Sequence, residues 1–142
     1  MRARRSRIAI VALAGAAALG LLGAGSAVAH PLGNFTINQL AQVRIDRTDA
    51  RVHYVLDQAE IPTFQQLKRF DGDGSGAIDT PVEERQVTDD LVSQISGGLH
   101  LVADGREIPL RLAGDPELTF PPGQGGLALT RLEADFAAEL RG

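Results

Sequence analysis

Residues 71–84 read Asp71-Gly72-Asp73-Gly74-Ser75-Gly76-Ala77-Ile78-Asp79-Thr80-Pro81-Val82-Glu83-Glu84. Carboxylate and hydroxyl side chains alternate with glycine, so their oxygens can converge on one point while the backbone curls around it. Helix signals bound the stretch on both sides. Phe64, Leu67 and Phe70 lie three apart in a segment that begins at Ile61, with Pro62 in its first turn. On the far side Thr80 is placed as N-cap, Pro81 at the first helical position and Glu83 at the third, which closes a capping box. That second helix is predicted over 81–95, with Gly97-Gly98 as its stop. The stretch therefore predicts a helix–loop–helix unit over about 61–97.

Hard oxygen ligands in a tight glycine-permitted turn suit calcium, and an EF-hand loop offers them at positions 1, 3, 5, 7, 9 and 12. With Asp71 as position 1, the candidate ligands are Asp71, Asp73, Ser75, the carbonyl of Ala77, and Asp79. Gly76 falls at the sharp turn and Ile78 at the apolar position 8. Position 12, where a bidentate glutamate belongs, is Val82, and Glu83 and Glu84 follow it. A one-residue shift of the second helix would let Glu83 reach the ion from a longer loop. The competing reading makes Glu83 a capping residue only and Asp79 a turn residue.

Around this unit the pattern is that of strands. Phe35, Ile37, Leu40, Val43 and Ile45 lie in a β-favouring segment whose alternation slips once. Val52, Tyr54 and Leu56 alternate cleanly with polar neighbours, and Asp46 to Ala50 reads as the connecting turn. Leu99–Val102 and Ile108–Leu112 flank Asp104-Gly105, a tight-hairpin dipeptide. From Ala128 to Leu140 the even positions form one mostly apolar face, which favours a strand over a helix. The expected fold is α+β, a mostly antiparallel sheet or small sandwich carrying an EF-hand-like insertion.

The N-terminus reads as an export signal. Arg2, Arg4, Arg5 and Arg7 precede an apolar run from Ile8 to Leu22, and Ala27-Val28-Ala29 offers a small-residue cleavage site. Cleavage there leaves one extracytoplasmic domain over 30–142. Four of the fourteen basic residues go with the signal, leaving ten against eighteen acidic ones, a net charge of −8. Such a surface repels nucleic acid and suits divalent cations. The chain has no cysteine, hence neither a disulfide nor a thiol nucleophile.

The chain has three histidines. His30 would become the mature N-terminus, where its imidazole and the terminal amine could chelate nickel, cobalt or copper. His53 and His100 each alternate with apolar residues and read as solvated strand positions. No Gly-x-Ser-x-Gly elbow appears, and the glycines of the acidic loop lack the lysine of a phosphate cradle. The expectation is a protein that is not an enzyme.

Ala29-His30-Pro31-Leu32-Gly33-Asn34-Phe35-Thr36-Ile37-Asn38, Tyr54 to Gln65, the Asp-Gly loop and Phe120-Pro121-Pro122-Gly123-Gln124-Gly125-Gly126-Leu127 span most of the mature chain. Together they resemble the exported N-terminal domain of bacterial multi-pass membrane proteins of the nickel/cobalt transporter type. The resemblance implies an outer domain with an ion-binding or regulatory role ahead of a helical permease in the same or a neighbouring chain. These residues contain no intramembrane His/Asp metal motif, so transport itself would lie elsewhere. Two alternatives stand beside it: a free secreted calcium-stabilised interaction module, and a transition-metal chaperone using His30.

Overall fold

The computed structural model describes residues 34–140. The signal segment and His30 lie outside the described residues. Within them the order is β1 (Ile37–Ile45), β2 (Asp49–Gln58), α1 (Glu60–Phe70), α2 (Pro81–Gly98), β3 (Leu101–Ala103), β4 (Arg106–Ile108), β5 (Arg111–Leu112), β6 (Glu117–Thr119), a short 3-10 turn (Gln124–Gly126) and β7 (Thr130–Glu139). The fold is α+β, with antiparallel pairing throughout these strands.

The main sheet runs β1-β2-β7, and β5 and β6 share the far edge of β7. β3 and β4 make a separate two-stranded ribbon, turned by Asp104 at φ 51° and Gly105 at φ 73°. Both central turn residues thus have positive φ, as the favoured two-residue hairpin requires. Among the described residues no second sheet stacks on the first, so the structure supports the single-sheet alternative and not the sandwich. Two helices take that place.

The register explains which face they cover. Ala50, Val52, Tyr54 and Leu56 of β2 stand opposite Ala138, Phe136, Ala134 and Leu132 of β7, and all eight are buried. Residues directly opposite in a ladder share a face, so these two strands present one continuous apolar surface. α2 lays Val87, Leu91 and Ile95 on it, four residues apart along one helical stripe. On the other face cross-strand charges meet water. Arg131 holds Asp57 at 3.2 Å and Glu133 at 2.8 Å, and the Glu133 hydrogen bond is the first cause that raises its pKa further.

The end of the core under α1 is polar. α1 buries Glu60, Thr63 and Gln66, while Phe64 is 52% exposed. The three-residue spacing of Phe64, Leu67 and Phe70 predicts a shared inner face, and the structure corrects this by leaving Phe64 outside it. β2 and β7 end here in the pair Gln58–Thr130, so the surface facing α1 is not an apolar one. Thr63 Oγ1 donates to the Gln58 carbonyl at 3.2 Å.

Candidate metal centre

α1 stops at Phe70 and α2 starts at Pro81, which leaves residues 71–80 as the connection. Asp71 caps α1 with its amide on the Leu67 carbonyl at 2.8 Å. The loop then closes on its own carboxylates. Ser75 N donates to Asp71 Oδ1 at 3.0 Å and to Asp73 Oδ1 at 2.9 Å, and Gly76 N donates to Asp71 Oδ2 at 2.9 Å. Gly74 and Gly76 have φ of 75° and 84°, a left-handed conformation that glycine adopts without a Cβ penalty. The chain therefore bends toward the acids at the two places where only glycine bends freely.

The far end of the loop is fixed by α2. Glu83 N donates to Thr80 Oγ1 at 3.3 Å, and Thr80 N donates to Glu83 Oε2 at 3.2 Å, the capping box read from the sequence. The other carboxylate oxygen, Oε1, accepts from Gly72 N at 2.7 Å. One buried side chain thus ties the first turn of the loop to the helix that follows it. The Gly72 amide, followed by the Thr80 hydroxyl, holds the Glu83 carboxyl below its ordinary value of 4.5.

The result is that Asp71, Asp73 and Glu83 each offer a carboxylate oxygen, all within 4.8 Å of one another. Of the six residues proposed from sequence, these three converge. Ser75 turns its hydroxyl toward Ala77, donating to the Ala77 carbonyl and accepting from the Ala77 amide, both at 3.3 Å. Asp79 is exposed and stands outside the acidic trio. Each carboxylate oxygen carries two lone pairs, so the amide bonds leave acceptor capacity facing the cluster.

The histidines fall elsewhere. His53 lies on the outer face of the sheet, with Nδ1 3.0 Å from Asp135 and Nε2 3.6 Å from Glu133. His100 pairs with Glu107 at 2.9 Å. Each is engaged by carboxylates in its own neighbourhood.

A second buried carboxylate escaped the sequence reading. Glu60 opens α1, and its Oε1 accepts from Gln124 N at 3.0 Å. The Gln124 amide is also the leading cause that lowers its pKa. A Cβ on Gly123 would lie 2.9 Å from Glu60 Cγ and 3.0 Å from the Leu127 carbonyl, so that glycine permits the close approach. Ile61 N donates to Asn34 O at 3.2 Å and Ala59 N to Thr36 O at 2.9 Å. Three of the segments that carried the family resemblance thus meet around Glu60. The available signal was an acidic residue in a helix's first turn, where the helix dipole favours it.

Comparison of the chain with protein-family models, curated proteins and solved structures gave no match. Among the described residues no helix is long and apolar enough to cross a membrane.

Proposed function

We propose that this chain is an extracytoplasmic calcium-binding domain in which residues 71–83 act as an EF-hand-like loop. The observation that supports the reading is the convergence of three carboxylates within 4.8 Å, held by loop amides. Negative charges at this separation repel one another, and a divalent cation among them relieves that repulsion. Asp71 and Asp73 are the monodentate ligands, the Ala77 carbonyl and Ser75 complete the turn, and Glu83 closes the site from α2. Asp79 joins through a bound water, the role that position 9 often has.

Only one such loop is present in the sequence and its glutamate comes one residue late, so binding is weak, on the order of 10⁻⁴–10⁻³ M, as extracellular modules use. Isothermal titration is expected to show one calcium site that the pair Asp71→Ala and Asp73→Ala abolishes. Nanomolar affinity, or indifference to that double change, refutes the assignment.

The resemblance to the outer domains of nickel/cobalt transporter-like proteins supports an ion-binding or regulatory role beside a multi-pass membrane partner. The coding frame beyond Gly142 tests this part: apolar spans of about 20 residues there support it, and their absence favours the free secreted module.

A further inference from the structure

Among the described residues, β1 is the unprotected edge of the main sheet. All nine of its residues are exposed, among them Ile37, Leu40, Val43 and Ile45 at 49–64%. Natural edges are blunted by brevity, proline, bulges or charge. β5 and β6, with two and three residues, blunt the opposite edge by brevity. β1 has none of these devices beyond Arg44.

Its backbone parity is fixed by two hydrogen bonds. Asp46 N donates to Asp49 O at 2.8 Å, and Thr36 O accepts from Ala59 N at 2.9 Å. In an antiparallel ladder, alternate residues address opposite neighbours. The even-numbered residues of β1 therefore bond to β2. Ile37, Gln39, Ala41, Val43 and Ile45 direct their N–H and C=O groups away from the sheet. Their register partners Gln58, Leu56, Tyr54, Val52 and Ala50 lie on the helix-covered face, so the same five residues also present their side chains there, beyond the helices' cover.

We propose that β1 pairs with β1 of a second copy, antiparallel, about a two-fold axis through Ala41. This register sets Ala41 opposite Ala41, Gln39 opposite Val43 and Ile37 opposite Ile45. Every outward N–H of one copy then meets an outward C=O of the other, and the sheet becomes continuous through both. Charge permits a second copy here: residues 34–45 contain no carboxylate in an otherwise acidic chain. The register places Arg44 opposite Asn38, with the two arginines six residues apart along the ladder, about 20 Å, which exceeds the screening length at physiological salt. Because the other edge is blunted, the assembly closes at two copies and does not extend into a filament.

A single strand edge of about 30 Å belongs to the weak, transient class of interfaces. Sedimentation velocity of the chain as recovered from expressing cells is expected to show mass rising from one copy toward two with concentration. Ala41→Pro removes an outward N–H at an edge position that tolerates proline, and is expected to abolish the rise while leaving the circular dichroism unchanged. The cysteine-free chain permits a second test. Ala41→Cys is expected to form a disulfide-linked dimer on mild oxidation, since directly opposed Cα atoms lie about 5.5 Å apart. Gln39→Cys and Val43→Cys are expected to cross-link only when mixed. A monomer throughout, as a strand from residues 1–33 or from another protein on this edge would leave, overturns the proposal. So does a dimer that survives Ala41→Pro, or one in which Ala41→Cys fails to cross-link.

Discussion

Glu83 serves the fold with both carboxylate oxygens and, in the calcium site proposed above, would serve the ion with the same two; substitution separates these roles. Glutamine keeps the size but can accept on only one oxygen, so Glu83→Gln loses either the Gly72 or the Thr80 contact. Calcium affinity is expected to fall about tenfold by titration calorimetry, since charge and bidentate geometry go together. Should Glu84→Gln have this effect instead, the register of the loop is one residue later. The pH dependence follows from the same carboxylate. Its folded pKa lies below the ordinary 4.5, so its contribution is complete above that value and is lost as pH falls through the lower folded pKa. Glu60 behaves alike. Melting temperature without calcium is expected to drop on acidification below about pH 4.5, and less steeply in Glu83→Gln and Glu60→Gln. Thr130 gives the reverse case. Its Oγ1 is fully buried without a hydrogen-bond partner among the described residues, so Thr130→Val is expected to stabilise by about 1 kcal/mol in urea unfolding. A loss of that size reveals a partner. The capping box was legible because its members are three residues apart. The Gly72–Glu83 tie was not, because nothing local couples residues 11 apart.

At the scale of elements, period decided what could be read. β7 alternates cleanly, and β2 does so except at Val55, which is buried on the outer face, because one face meets a helix layer and the other is largely open to water. β1 slips out of alternation because neither of its faces is buried, so no burial constrains its pattern. α1 misleads for a related reason: its inner face is set by Glu60, Thr63 and Gln66 against a polar sheet end, and an apolar-periodicity reading selects Phe64 instead. The loop 71–80 is held mainly by contacts among its own groups and Glu83. Removing calcium is therefore expected to raise amide exchange in 71–83 while β2 and β7 keep their protection. Loss of protection in those strands as well makes calcium a condition of folding. The Glu60 clasp has its own test. Gly123→Ala must displace Glu60 or the Leu127 carbonyl, and is expected to cost about 1–3 kcal/mol in denaturant unfolding without changing calcium affinity.

For the whole molecule, stability rests on one apolar layer between β2–β7 and α2. Leu91 is 1% exposed at its centre, and Leu91→Ala is expected to cost about 2–5 kcal/mol. Fold class and the order of the long strands and two helices could be read because that layer imposes both periods, 2 on the strands and 3.6 on the helix. The one strand expected over 108–112 is instead divided between β4 and β5, and β6 was not foreseen. The pairing of β2 with β7 was out of reach. Gln58 and Thr130 are partners across 72 positions of sequence, and several other strands offered the same alternation. That pairing also governs the order of events during synthesis. The strand between β2 and the β5–β6 edge is the last described element of the chain. Until it leaves the ribosome, Val52, Tyr54 and Leu56 lack half their surroundings, and closing so long a loop is slow. A chain stalled before residue 130 is expected to stay protease-sensitive, and one extended past 140 to become resistant. Late closure keeps residues 34–129 threadable until β7 has been made, which on the proposed export reading is the condition that passage through a narrow translocation pore demands.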